Sequence, residues 1–155
     1  MNSSGRPIKR VMAFGSFDIL HPGHIAYLNK ARGLGDSLVV VVARDSSIRK
    51  IKHREPFFAE NDRLRIISSL GMVDKAVLGS KIKRQDDKYK IIAKYRPQVI
   101  VFGYDQDVDE DEMERWLKKN KIDARLVRLK IRLMPERYKS SAIRNIIQSS
   151  GLGEK

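Results

Sequence analysis

Two of the chain's three histidines, His21 and His24, stand within four residues of each other, separated by Pro22 and Gly23, where a loop enters a helix. A helix amino terminus leaves backbone N–H groups unpaired and carries the positive end of the helix dipole, so it attracts anions. Gly23 has no Cβ and lets the backbone approach a phosphate closely; Gly15 does the same at the end of the preceding strand. Two imidazoles beside a polyphosphate can donate hydrogen bonds to its oxygens as charge develops in a displacement. Two plainer readings compete. The pair could be part of a metal site, although the third histidine, His53, sits on a basic loop and no carboxylate triad accompanies it. Pro22-Gly23 could also be simply a turn.

The elements that must hold this loop alternate regularly between strand and helix. Strands are predicted over residues 8–14, 37–43, 73–78, 98–102 and 125–129. Helices are predicted over 22–34, 60–70, 88–95, 109–120 and 140–148, with Pro22 in a first-turn position and Gly71 and Pro97 as stops. The run Leu38-Val39-Val40-Val41-Val42 reads as a strand buried on both faces. This alternation predicts an α/β fold: a Rossmann-like, doubly wound, parallel five-stranded sheet with helices on both faces. Right-handed crossovers then put ligand loops at the carboxyl ends of the strands. The loops that begin at Gly15 and Gly103 should therefore meet at one crevice.

The bulk properties narrow the classes. A length of 155 residues suits one domain, over residues 8–150, behind a flexible tail of residues 1–7. With 41% hydrophobic and 33% charged residues the chain reads as soluble and globular, and no stretch approaches the roughly 20 apolar residues of a membrane span. The amino terminus lacks a signal-peptide pattern, which predicts a cytoplasmic protein. The absence of cysteine excludes disulfides, thiolate metal sites and cysteine nucleophiles. The net charge of +13 admits either nucleic acid or small polyanions as partners. The basic stretches 44–54, 81–90 and 125–139 match no nucleic-acid-binding signature, so no specific nucleic acid is expected.

The stretch Gly15-Ser16-Phe17-Asp18-Ile19-Leu20-His21-Pro22-Gly23-His24 resembles the signature of the cytidylyltransferase-like nucleotidyltransferase superfamily, with its His-x-Gly-His element. Two further pieces come in the right order. Gly103-Tyr104-Asp105-Gln106 is similar to the segment that meets the nucleotide after the fourth strand, and Ser140-Ser141-Ala142-Ile143-Arg144 to the late element that opens the last helix. Within the superfamily the chain most resembles the archaeal FAD synthases, which adenylylate FMN. Val42-Ala43-Arg44-Asp45, the stretch from Val73 to Ser80 and Asp105-Gln106 carry that likeness. Those enzymes have cysteines near the last motif; this chain has none. Glycerol-3-phosphate cytidylyltransferases fit the middle of the chain less well, and phosphopantetheine adenylyltransferases usually have Thr where His21 stands.

The resemblance implies transfer of AMP from ATP to FMN with release of pyrophosphate. The alternatives are CTP-dependent transfer to a small alcohol phosphate, or a nucleotide sensor or nucleic-acid-binding protein on the same fold. His21 and His24 would contact the phosphates, with Ser16, Phe17, Pro22, Gly23 and Gly103 shaping the nucleotide site. Asp18 is a candidate ligand for Mg2+, with a loop-bracing carboxylate as its other reading. Lys50 or Lys52, on the loop after strand two, would bind phosphate, and residues 51–58 would form a flap over the acceptor. Arg63 would reach a phosphate, or else lie on an exposed helix face. Asp105 would accept from ribose or base; Ser140, Ser141 and Arg144 would meet the terminal phosphates. Arg128, Lys130 and Arg132 alternate along strand five and, with Lys52, would receive the acceptor phosphate. A homodimer is the assembly the resemblance implies.

Overall fold

The computed structural model describes residues 1–131 and 140–150. Five strands, β1 (Arg10–Gly15), β2 (Ser37–Val42), β3 (Lys75–Leu78), β4 (Val99–Gly103) and β5 (Arg125–Leu129), form one sheet in the order β3-β2-β1-β4-β5, with every pairing parallel. The helices are α1 (Pro22–Arg32), α2 (Asp45–Lys52), α3 (Glu60–Ser68), α4 (Lys90–Tyr95), α5 (Glu110–Lys119) and α6 (Ser140–Ser149).

Because side chains alternate along a strand, each central strand feeds two cores. Val11, Ala13, Leu38, Val40, Val42, Val99 and Val101 pack against Leu28 and Ala31 of α1 and Ile67 of α3. Met12, Val39, Val41, Ile100 and Phe102 pack on the other face against Ile92 of α4 and Met113 and Leu117 of α5. This double burial explains why the strands are continuously apolar, and it is the doubly wound arrangement expected from the sequence.

Two elements depart from the sequence reading. The segment after β2 is helix α2, not a loop, with Ile48 buried. Its amino end is fixed to that of α3 by reciprocal bonds: Asp45 N–H donates to Glu60, and Glu60 N–H donates to Asp45. A 3-10 helix (Gln85–Tyr89) also precedes α4, capped through Asp87, which accepts from the backbone of Lys83 and Arg84. Near the amino end, Asn2 and Arg6 both bond to Asp36.

The sheet opens between β1 and β4. β1 pairs with β2 as far as Gly15–Val42, but its pairing with β4 ends at Ala13–Val101. The carbonyls left beyond that point are met by side chains. The Tyr27 hydroxyl lies 3.2 Å from the Phe14 carbonyl and 3.0 Å from that of Val101, and Gln106 Nε2 donates to Phe14 at 2.9 Å. This is the switch point at which doubly wound sheets bind ligands.

Candidate active site

A cavity of about 650 Å³ opens at the carboxyl ends of the strands. The loops after β1 and β4 both line it, through Gly15 to Asp18 and through Gly103 to Val108, as their topology predicts.

Its floor is built by the loop from β1 into α1. Phe17 holds a left-handed backbone conformation, φ 49°, and its buried ring folds back over Gly15. A Cβ on Gly15 would stand 2.6 Å from that ring, so glycine is needed here for close approach. His21 is the N-cap of α1, and its Nδ1 accepts from Gly23 N–H at 3.1 Å. The His21 and His24 rings stack with centroids 3.8 Å apart, and Phe17 meets His24 edge-on at 5.3 Å. No acidic residue stands in the first turn of α1, so the positive end of its dipole is uncompensated there.

Burial, above all, keeps this pair neutral. His24 is held down to about 3, first by desolvation and then by His21 and Lys52. His21 is also lowered by desolvation, partly opposed by Asp105. His21 accepts at Nδ1, so its proton sits on Nε2. His24 Nδ1 is buried and has no partner among the described residues. A bare lone pair is cheaper to bury than an unpaired N–H, which also places the His24 proton on Nε2. Both rings thus offer one Nε2 donor each.

Asp18 is the keystone of the next layer. It is 2% exposed and accepts from Arg54 Nη1 at 2.7 Å, Arg144 Nη2 at 2.6 Å, and the backbone N–H groups of Phe57 and Phe58. Burial pushes its carboxyl up, but these donors outweigh it and hold the group below the usual carboxylate range. Asp18 therefore takes the loop-bracing place, and it ties the segment 51–58, read from sequence as a flap, to the floor. The Arg144 guanidinium also lies 4.4 Å from the Phe57 ring.

Three sequence expectations are corrected by this geometry. Arg63 is neither exposed nor free to meet a phosphate. It is fully buried and donates to the Ser16 and Phe58 carbonyls and to Asp45, bracing the loop from below. Arg128 is likewise a brace: it pairs with Glu110 and donates to the Gly103 and Gln106 carbonyls. Lys50 is exposed on α2 and does not line the cavity, whereas Lys52 does. The Lys52 ammonium is held below its usual value, first by desolvation and then by Arg54, although the residue as a whole is exposed; the crowding acts at its charged end.

Of the remaining expected residues, Ser16, Gly103, Asp105 and Ser141 line the cavity. Pro22 occupies the first turn of α1, and Ser140 opens α6. Arg132 lies outside the described residues. Sequence reasoning did not single out Arg54, Tyr27 or Lys88, which also line the cavity. Only the spacing of Ile48 and Ile51, three apart and therefore on one helix face, signalled α2 and with it the side that bears Lys52.

Among the described residues no group of three or more His, Cys, Asp or Glu is placed to hold a metal ion, and no helix is long and apolar enough to cross a membrane.

Residues 12–146 match the cytidylyltransferase-like family. The chain belongs to that family. Among its relatives is the FAD synthase of Aciduliprofundum boonei, 53% identical over 121 residues that cover 78% of each chain. The FAD synthase of Methanothrix thermoacetophila is 50% identical over 77% of this chain and 80% of that one. The solved structure of the lipopolysaccharide core biosynthesis protein from Thermoplasma volcanium GSS1 superposes with a TM-score of 0.74 and 45% identity, covering 82% of this chain and all of that one. Thermotoga maritima TmcAL bound with alpha-thio ATP shares the fold, with a TM-score of 0.65 at 15% identity over 92% of this chain and 51% of that one. The His-x-Gly-His loop of this cytidylyltransferase-like chain thus lies at the centre of its sheet, between two flanks.

Proposed function

We propose that the chain is an FMN adenylyltransferase, making FAD and pyrophosphate from FMN and ATP. The observation that carries this reading is the neutral, stacked histidine pair on the amino terminus of α1, at the floor of a cavity that extends to both sides of it. The likeness to the archaeal FAD synthases supplies the identity of the substrates.

In this reading a phosphate oxygen of FMN attacks the α-phosphorus of ATP. The new P–O bond forms as the bond to the bridging oxygen of pyrophosphate breaks. A phosphate monoester is already nucleophilic near neutral pH, so the reaction needs no strong general base. His21 and His24 donate from Nε2 to phosphate oxygens, the α1 amino terminus adds its N–H groups, and Lys52 adds charge. Positioning and charge neutralisation do most of the work. Mg2+ would neutralise the triphosphate. Asp18 is the candidate protein ligand nearest the floor, but its oxygens already accept four N–H donors, so the ion would rest chiefly on phosphate oxygens and water. Asp105 would receive the ribose, and Ser140, Ser141 and Arg144 the outer phosphates. The enzyme would work in the cytoplasm, as a homodimer by the family resemblance.

The test is pyrophosphate release with Mg2+ and ATP or CTP, across FMN, glycerol-3-phosphate and phosphopantetheine. Turnover with ATP and FMN is expected. Turnover only with CTP and glycerol-3-phosphate would overturn the flavin assignment and keep the loop chemistry.

A further inference from the structure

The sheet order puts the ends of β2 and β3 on one side of the His-x-Gly-His loop and those of β4 and β5 on the other. The connection from β3 to β4 crosses between them, with α4 packed in the same core as α5. The two flanks of the cavity differ chemically. The β4 side carries the carboxylates of Asp105 and Asp107, and a carboxylate at the end of a strand suits ribose hydroxyls. From residues 43–98, by contrast, no carboxylate lines the cavity; Ile51, Ile82, Ile91, Lys52 and Lys88 do. Ile51 is 70% and Ile82 43% exposed, two bulky apolar side chains from separate segments left uncovered over one cavity.

Lys88 is held from behind. Its ammonium lies 2.6 Å from Glu112 of α5 and 4.8 Å from the Tyr89 ring centroid, and the Tyr89 hydroxyl also donates to Glu112 at 3.0 Å. Glu112 does not line the cavity, so the pair presents its cation to the cavity and keeps its anion out. An ammonium has three N–H donors, and Glu112 takes one. A surface ion pair on its own would mean little. This one stands beside Ile82 and Ile91 and adds a cation to a flank that Arg44, Ser47, Lys52, Arg54 and Ser80 also line.

We propose that Lys88, positioned by Glu112 and Tyr89, is the specificity-determining cation of the acceptor site, donating to the carbonyl edge of a planar heteroaromatic ring that Ile51, Ile82 and Ile91 cover. The inference rests on the FMN reading, since the flavin ring has both an apolar face and a dione edge. Glu112 is a positioning residue in this device, acting through Lys88.

The experiment measures FMN affinity by quenching of flavin fluorescence, and KM for FMN and for ATP, in Lys88→Ala, Lys88→Arg, Ile82→Ser and Glu112→Gln. Lys88→Ala and Ile82→Ser should each raise Kd and KM for FMN about ten-fold, the scale of one charge-assisted hydrogen bond or one buried side chain, with KM for ATP within two-fold. Lys88→Arg should recover most of the loss. Glu112→Gln should raise KM for FMN by less, with kcat unchanged. Ile82 is already exposed, so its variant keeps the fold if Lys88→Ala does not. Wild-type FAD synthesis together with unchanged FMN affinity in Lys88→Ala and Ile82→Ser would overturn this inference and leave the FMN reading standing. Equal rises in the two KM values would overturn it as well. A wild type that uses another acceptor but not FMN would remove both.

Discussion

Asp18, in the loop after β1, and Arg144, in α6, form a 2.6 Å ion pair across 126 residues of chain. Arg54 meets the same carboxylate at 2.7 Å, so one buried anion gathers the floor loop, the segment before α3 and the last helix. Removing its charge leaves two guanidinium groups without their anion in a largely desolvated place. Asp18→Asn should cost about 3 kcal/mol of stability, the scale for breaking a buried pair, and raise KM for ATP. The Asp18 pKa is depressed on folding, so its contribution is present above the ordinary carboxylate pKa and fades as pH falls through the lowered value. Urea denaturation across pH 3 to 7 checks this: Asp18→Asn should flatten the acid limb, and an unchanged limb would remove Asp18 from it.

His24 titrates at about 3, in contrast to an ordinary histidine near 6.5. A folded pKa below the unfolded one gives stability that is whole above 6.5 and is lost progressively as pH falls toward 3. The slope can reach roughly 1 kcal/mol per pH unit. His24→Ala should shrink that slope between pH 6.5 and 4, and should lower kcat by about 100- to 1,000-fold while circular dichroism stays native. Near-wild-type turnover would take His24 out of the chemistry.

The parts of this molecule legible in its sequence are those where one side chain has one physical use. Continuous apolar runs made β2 and β4 unmistakable, and Pro22 with Gly23 marked the start of α1. Basic residues were harder, because an arginine that braces a loop and one that binds phosphate look alike in a sequence. Arg63 and Arg128 both sit at rational positions for phosphate, yet each is used up on backbone carbonyls and a carboxylate. Their partners, Ser16, Asp45, Glu110 and Gln106, are distant in the chain or face the wrong way unless the tertiary fold is known. Helix α2 was hidden for a related reason: its short, basic sequence resembles a solvated loop, and its stability comes from the exchange of bonds between Asp45 and Glu60.

The two lysines of α2 separate function from charge. Lys52 lines the cavity and shares its electrostatics with His24, Asp18 and Asp105, whereas Lys50 is exposed away from it. Lys52→Ala should lower kcat/KM for ATP by about 10- to 100-fold, and Lys50→Ala should leave it within two-fold. Steady-state kinetics on the two variants decides the matter. Equal losses would mean that the site responds to overall charge on α2 rather than to one placed ammonium.

Gly15 tests whether the shape of the floor matters independently of its charges. A methyl at this position would stand 2.6 Å from the Phe17 ring, which is buried and held by a left-handed backbone. The ring cannot simply swing away, because His24 packs against it in an edge contact. Relief must come from the Ser16-Phe17 backbone, which Arg63 fixes through the Ser16 carbonyl. Gly15→Ala should therefore cost about 1–3 kcal/mol, the usual scale of overpacking, and should disturb the His21–His24 stack. The expected signature is a Tm several degrees lower together with a drop in kcat larger than that of an exposed control such as Lys50→Ala. A stable variant with normal turnover would show that Phe17 is free to move, and that the stacked histidines do not depend on it.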